Sequence, residues 1–243
     1  MPVFWSKHLA MTPPLYISLQ FAFITAALYV LLLIGIHRGF RNDPRQKKAV
    51  LLVGIGVALW LGLLALLAEM NFFATWTPPR IPPFLIIPFA AMIWWSRKPS
   101  FKKVVSNIPP SALVYAQSFR IYVEIVLWLL LVESVLPVQM TFEGYNFDVL
   151  VGITALVMGY LVQKKLVSNR VLLWWNIGGI ILVSTIVTIA ILSFPGATRL
   201  FMNEPANTVV SYMPFIWLPA FVVPMAYFLH LASIVQLQQD KTG

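Results

Sequence analysis

The side chains most able to do chemistry in this sequence share one face of an apolar segment in the middle of the chain. Gln117, Arg120 and Glu124 are spaced three and four residues apart, which places them together on a helix. Because a charge inside the hydrocarbon is costly, we expect Arg120 and Glu124 to face the protein interior and to pair with each other or with a neighbour. Two interpretations stay open: a structural ion pair, or a site in which Arg120 binds an anion or carboxylate and Glu124 exchanges a proton.

Polar residues in two later apolar segments are candidates to complete this site. Tyr227 and His230 are three residues apart in the last segment, and Asn176 lies in the segment before it. A lone interior histidine is more often a packing residue than a ligand, so His230 is the weaker functional candidate. The predicted ligand-binding set is Gln117, Arg120, Glu124, His230, Tyr227 and Asn176.

Two stripes of small residues lead to acidic side chains. Such stripes let transmembrane helices approach closely; they consist of Gly54, Ala58 and Gly62, a possible partner-packing surface, and of Gly152, Ala155 and Gly159. Glu69 follows the first stripe, and Asp148 precedes the second, where it also suits a helix N-cap. With Glu143 they predict an acidic cluster at the outer mouth of the bundle, which would bind a hard cation, recruit Arg80 or Arg199, or share protons. No metal ligand is assigned.

Familiar signatures of membrane enzymes and cofactor proteins do not occur in the sequence. It has no cysteine, which excludes thiol nucleophiles, iron–sulfur ligation and disulfides. Its three histidines are scattered, and it has no HExxH motif, no GxSxG elbow and no lysine in the last apolar segment for retinal. We therefore predict no cofactor. An enzyme that uses Glu124 as base and Arg120 as electrostatic stabiliser is an alternative that the spacing does not demand.

The elements that position these residues are predicted to be transmembrane helices. The 243 residues are 60% hydrophobic and 10% charged, with a mean hydropathy of +0.83, whereas a soluble domain is about a quarter charged. This composition predicts an all-α bundle of seven helices in a single domain over 1–243, with spans at 15–36, 49–71, 83–95, 111–135, 148–163, 171–194 and 214–235. The third span is short and interrupted by prolines, so a re-entrant segment is the alternative there.

The distribution of basic residues predicts the orientation. Lysines and arginines gather in alternate breaks, at 38–48, 97–103 and 164–170. By the positive-inside rule these breaks are cytoplasmic, the N-terminus is outside and the C-terminus is inside a bacterial inner membrane. The net charge of +9 then needs no nucleic-acid partner.

Two strings carry a resemblance to a known group. QSFRIYVE (117–124) and MTFEGYNFDVLVGITA (140–155) resemble a group of uncharacterised bacterial seven-span integral membrane proteins. That resemblance implies no activity. The polar turn within the second string, flanked by aromatic residues, is predicted to fold back onto the bundle mouth.

The leading hypothesis is a membrane protein that binds or transports a small or lipidic ligand in a polar pocket between helices. An anionic group on that ligand is the chemistry that Arg120 suits. The alternatives are a scaffold or accessory subunit with a structural Arg120–Glu124 pair, and an intramembrane enzyme.

Overall fold

All regular secondary structure in the described part of the chain is helical. The structure is a computed structural model that describes residues 13–75 and 80–239. The α-helices in these ranges are α1 (Leu15–Gly39), α2 (Gln46–Glu69), α3 (Pro82–Ser96), α4 (Pro99–Ser106), α5 (Pro110–Ala116), α6 (Phe119–Val132), α7 (Val149–Gln163), α8 (Asn169–Ser193) and α9 (Val223–Gln239). A π-helical turn, Leu218–Val222, runs directly into α9. Short 3₁₀ turns lie at Phe72–Ala74, Val138–Met140 and Val209–Ser211.

Five helical segments among these residues are long and apolar enough to cross a membrane. They are α1, α2, the α5–α6 segment Pro110–Val132, α8, and the segment Leu218–Gln239 that ends in α9. The two other apolar helices, α3 and α7, have 15 residues each. At 1.5 Å per residue they are about 22 Å long, short of a hydrocarbon core of about 30 Å. The all-α class is confirmed, and the predicted third and fifth spans are shorter than a standard span. The two chain ends, whose sides of the membrane the basic residues predict, lie outside the described residues.

The last span is the centre of the bundle. It packs against α3, α4, α5 and α8, and 67% of its most apolar window is buried, against 11% for α2. Phe215, just before the π-helical turn, packs its ring 5.0 Å from that of Phe21 on α1. Side chains on the last span therefore have neighbours on most sides, whereas most of α2 faces away from the protein.

The first two basic breaks meet at one end of the bundle, here called the basic end. Asp43, between α1 and α2, accepts a hydrogen bond from Lys103 Nζ at 3.2 Å, and Asn107 Nδ2 donates to the Gly39 carbonyl at 2.7 Å. Arg45 donates to Asp43 from both its side chain and its backbone N–H, and these bonds hold the pKa of Asp43 well below its usual range. The amphipathic helix α4 occupies the second of these breaks, with Phe101 buried, and it packs against α1 and α9.

Prolines shape the entry to α9, as their positions suggest. Pro224 has no N–H to donate to the carbonyl of Ala220, four residues earlier in the helix. Trp60 on α2 donates a hydrogen bond to this carbonyl, because its indole Nε1 lies 3.0 Å from the Ala220 oxygen. A second indole bond runs the other way, from Trp217 Nε1 to the Leu61 carbonyl at 3.1 Å. The irregular turn is therefore held by side chains from both partners.

The α5–α6 span is broken beside its charged residues. The amides of Gln117 and Ser118 bond to carbonyls three residues back, and so do those of Arg120 and Ile121, so the helix tightens at this point. Gly152 on α7 packs against the break, where an added Cβ would lie 2.9 Å from the backbone nitrogen of Ile121. This close approach brings the first turn of α7 beside the first turn of α6.

The connection from α6 to α7 folds into the bundle. Gln139, Met140, Thr141 and Asn146 in this connection are all at most 3% exposed. The predicted fold-back of the polar turn is therefore confirmed. Phe142, Tyr145 and Phe147 in the same connection are about half exposed, so it is buried on one side only.

Candidate functional site

Arg120 forms an ion pair between two helices. It lies in the first turn of α6 with 3% of its surface exposed, and its Nη1 is 2.5 Å from Asp148 Oδ1, immediately before α7. Of the two expected arrangements, Arg120 therefore has the second: it pairs with a neighbouring residue, Asp148, and not with Glu124. Helical spacing places Arg120 and Glu124 on one face, but the packing of Gly152 against α6 brings Asp148 closer. Asp148 occupies the predicted N-cap position of α7, but its side chain makes no capping bond.

Glu124 anchors the connection between α6 and α7. Its Oε1 accepts a hydrogen bond from the backbone N–H of Phe142 at 2.6 Å, and its Oε2 accepts one from Asn146 Nδ2 at 2.5 Å. Asn146 also accepts from the backbone N–H of Asp148 at 3.1 Å. Arg120, Glu124, Asn146 and Asp148 thus form one connected group, here called the Arg120 cluster. The sequence interpretation missed the role of Asn146, although its position in a polar turn that folds inward was a signal.

One edge of the Arg120 guanidinium has no protein partner. Nε and Nη2 are buried and make no hydrogen bond with any described residue. These nitrogens lie side by side on a guanidinium and form the fork that binds planar oxygen groups with two parallel bonds. Since an unsatisfied buried donor costs about 1–3 kcal/mol, this edge is suited to receive an acceptor.

A cavity of about 200 Å³ adjoins the Arg120 cluster. Its walls are mostly apolar side chains from α3, α6, α8 and the π-helical turn, and the polar residues on its lining are Arg120, Glu124, Asn146, Asp148, Thr198 and Asn207. Asn207 has its Nδ2 bonded to the Ala190 carbonyl at 3.1 Å, while its Oδ1 has no partner among the described residues. A cavity of about 150 Å³ accommodates benzene. The space therefore suits a small apolar molecule with one polar group.

Three buried polar residues on α8 and α9, two of them predicted site residues, form a second hydrogen-bonded group. His230 Nδ1 lies 2.9 Å from Asn176 Oδ1, and Asn176 Nδ2 donates to the Ser233 hydroxyl at 2.9 Å and to the Leu172 carbonyl at 2.8 Å. Asn176, His230 and Ser233 are here called the His230 cluster. They do not line the cavity beside Arg120. Within the described ranges the imidazole Nε2 has no hydrogen-bond partner, and it faces Gly179, where even a Cβ would overlap the ring. A ligand therefore has no room there.

Gln117 and Tyr227 also lie away from the cavity lining. Gln117 Nε2 donates to the Ala226 carbonyl at 3.2 Å, and the Tyr227 hydroxyl is 2.8 Å from that of Ser184. Of the six residues predicted to bind a ligand, the structure thus brings Arg120 and Glu124 to one cavity and places the other four elsewhere.

The three acids of the predicted outer cluster, Glu69, Glu143 and Asp148, differ in their surroundings. Asp148 pairs with Arg120, Glu143 accepts a bond from Trp128 Nε1 at 2.7 Å, and Glu69 is exposed. Within the described residues, no group of three or more His, Cys, Asp or Glu side chains could hold a metal ion. The predicted arginines bind elsewhere: Arg80 to the Phe72 carbonyl, and Arg199 to Glu204 at 3.0 Å. The spacing of the small residues, three or four apart, indicates which face of its own helix an acid shares. It does not predict the distance between acids on different helices.

The two small-residue stripes differ in burial. Gly152, Ala155 and Gly159 are buried, and Gly159 packs against the ring of Tyr115. On α2, Gly54 is covered by Tyr29, whereas Ala58 and Gly62 are exposed. The second stripe therefore packs the bundle, and a partner for the first stays a prediction.

Comparison with known proteins identifies a family and no activity. A family model for a domain of unknown function, DUF8737, matches residues 83–238. This range contains the Arg120 cluster, the His230 cluster and both strings that carried the resemblance. No curated protein and no solved structure gives a significant match to the chain.

Proposed function

This chain belongs to the family of the domain of unknown function DUF8737, and we propose from its geometry that it is a membrane protein that binds a small, largely apolar molecule. The ligand would occupy the cavity beside α6 and present an acceptor oxygen to Arg120. The observation that carries this proposal is the unpartnered Nε and Nη2 edge of a buried arginine in the wall of an apolar cavity.

The proposed membrane arrangement has seven crossings, with α3 and α7 as the short ones. Contact between Asp43 and Lys103 supports it, because an α2–α3 pair that crosses and returns brings those two breaks to one end. We propose that the basic end is cytoplasmic in a bacterial inner membrane. Since the sequence has no cysteine, single cysteines at Asn42 and Asn203 would be unique labels. A membrane-impermeant maleimide on intact cells should label Asn203→Cys only, and labelling of Asn42→Cys instead would reverse the orientation.

Binding is better supported than transport. Transporters often place their substrate where helices are interrupted, and here the break at Gln117 and the π-helical turn both adjoin the elements that line the cavity. These interruptions are compatible with movement of a ligand. The unpaired guanidinium edge of Arg120, however, supports binding of a ligand and not its movement. Transport would be a second step that uses the same site.

Benzamide is a suitable probe for binding, because it has a planar carbonyl group on an apolar ring of about the size the cavity accommodates. We expect saturation-transfer NMR to detect benzamide binding to the protein in nanodiscs. The double variant Arg120→Gln with Asp148→Asn removes the ion pair and the fork together, and it should weaken binding by about tenfold or more, as expected for loss of a charged hydrogen bond.

The matched control is Arg45→Gln with Asp43→Asn, which removes an ion pair of equal charge at the basic end. It should leave benzamide binding unchanged. Val187→Phe, which fills the cavity from α8, should abolish binding without touching either ion pair. Equal benzamide affinity in the wild type, the Arg120 double variant and Val187→Phe would contradict the proposal.

A scaffold or accessory role is the second candidate, and one observation favours it. The Arg120–Asp148 pair joins α6 to α7, so it has a structural effect whether or not a ligand binds. Under this candidate the Arg120 double variant loses assembly with a partner membrane protein, and benzamide does not bind the wild type.

A further inference from the structure

We propose that the ligand of this cavity is uncharged and binds Arg120 through a carbonyl-type oxygen, rather than through a carboxylate or phosphate. The inference rests on the proposed function, since it concerns the chemistry of the same site. It replaces the expectation that a buried arginine in a membrane protein recognises an anion.

The first step concerns the charge of Arg120, which a protein group already balances. Asp148 lies 2.5 Å from Nη1, and the pair lies between α6 and α7 with Arg120 buried and Asp148 partly buried. The guanidinium therefore offers hydrogen-bond donors at Nε and Nη2, but it does not offer an uncompensated positive charge. In a buried site, an anion needs both hydrogen-bond donors and an uncompensated positive charge, whereas a neutral carbonyl oxygen needs only the donors.

The second step concerns the other charged side chains on the cavity lining. Glu124 adds a second acid, and Arg120 is the only basic side chain among the described residues that line the cavity. The groups that bind Glu124 are the Phe142 N–H and the Asn146 amide, which are both neutral. With or without a proton on Glu124, the fixed charges on the lining sum to zero or to a negative value. An anionic ligand would add an unbalanced negative charge at low dielectric.

The third step excludes a cation as the preferred ligand. The unpaired groups on Arg120 are donors, and a cationic ammonium or amidinium has no acceptor to offer them. Its charge would also stand beside the guanidinium. A neutral oxygen satisfies both donors and adds no charge, so it is the ligand group with the fewest penalties at this position.

Three planar molecules of nearly equal size separate these cases: benzamide is neutral, benzoate is an anion and benzamidinium is a cation. We expect the wild-type protein in nanodiscs at neutral pH to bind benzamide about tenfold or more tightly than either ion, measured by competition in saturation-transfer NMR. Asp148→Asn leaves the charge of Arg120 unbalanced at nearly constant shape. In that variant the preference between benzamide and benzoate should reverse.

The outcomes distinguish this inference from the proposed function. If benzoate binds the wild type as tightly as benzamide or more tightly, the ligand is anionic and this inference is overturned while the binding site stands. Binding of none of the three overturns the proposed function, and this inference with it. Should Asp148→Asn fail to fold, Glu124→Gln removes one acid while keeping an oxygen acceptor for the Phe142 N–H, and benzoate affinity should rise relative to benzamide there as well.

Discussion

The Arg120 cluster and the His230 cluster are both buried groups of polar side chains between helices, and they differ in what lies next to them. Each has nitrogen that bonds to nothing in the part of the chain that the structure describes: Nε and Nη2 of Arg120 in the first, and the imidazole Nε2 in the second. Beside Arg120 there is a cavity of about 200 Å³. Beside His230 there is the backbone of Gly179. An unpaired polar atom therefore indicates a binding site only where space adjoins it.

Glycine makes both arrangements possible, with opposite effects. Gly179 lets α8 close over the imidazole and fill the space that a ligand would need. Gly152 lets α7 approach the break in the α5–α6 span, which brings Asp148 to Arg120 and turns only one guanidinium nitrogen toward an acid. Gly179 therefore leaves no space for a ligand beside His230, whereas Gly152 allows the contact that forms the Arg120 cluster.

The largest expected effect comes from removing one member of the ion pair. Arg120→Met leaves Asp148 buried without its partner, which costs about 3–5 kcal/mol in a protein interior. Adding Asp148→Asn should recover much of the free energy of unfolding, measured by SDS titration or steric trapping in bicelles. Adding Glu124→Gln instead should not. Rescue by Glu124→Gln and not by Asp148→Asn would restore the pairing that the helical spacing predicted.

Alanine at the two glycines should sharpen the contrast between the clusters. Gly152→Ala and Gly179→Ala both overpack a helix contact, at a cost of about 1–3 kcal/mol each. Gly152→Ala should also weaken benzamide binding, because it moves α7 and Asp148 relative to Arg120. Gly179→Ala should leave benzamide affinity unchanged in the fraction that folds. Melting curves and saturation-transfer NMR on the same samples compare the two, and equal loss of binding in both would mean that the clusters are coupled.

Asn176→Ala tests whether the His230 cluster is structural. The substitution removes the partner of His230 Nδ1 and one partner of Ser233, and an unsatisfied buried group costs about 1–3 kcal/mol. We expect a lower melting temperature and unchanged benzamide binding. A variant with wild-type stability and no binding would move the site from Arg120 to His230.

The smallest effect is expected at Asp43, where both basic partners reach water: the side chains of Arg45 and Lys103 are 70% and 64% exposed. The pKa of Asp43 is lowered in the folded protein, so its contribution to stability is present above the unfolded value of about 3.9 and is lost as the pH falls toward the folded value. Asp43→Asn should therefore lower the melting temperature slightly at neutral pH. The difference from wild type should shrink below about pH 4. A difference that grows under acid conditions would contradict this assignment.

The sequence predicted which face of each helix is buried better than it predicted which residues of neighbouring helices lie at the same depth in the bundle. Spacing correctly placed Arg120 and Glu124 inside the bundle and Gly152 at a helix contact. Helical spacing did not identify the partner of Arg120. A residue four positions away on the same helix competes for the guanidinium with any acid that a neighbouring helix brings to the same depth, and here Asp148 is that acid. That depth depends on the break at Gln117 and on the inward fold of the α6–α7 connection, which are set by tertiary contacts.

The same limit explains the acidic cluster and the ligand-binding set. Glu69 and Asp148 each continue a stripe on their own helix, but α2 lies at the edge of the bundle and α7 packs against α6. His230 and Asn176 were correctly expected inside the protein. Whether they share a cavity with Arg120 depends on how close α8 packs to α9, and that distance is set by Gly179, which no periodic pattern marked.

The hydrogen bond from Trp60 to the Ala220 carbonyl has a consequence for NMR spectroscopy. Its acceptor belongs to the π-helical turn whose Leu218 and Val222 form part of the cavity wall, whereas Trp60 itself is on the peripheral helix α2. The indole therefore contacts the cavity wall from outside and does not line the cavity. A fluorine label on this ring would give a resonance sensitive to the strength of that one bond, and its chemical shift would read out any displacement of the wall when a molecule enters.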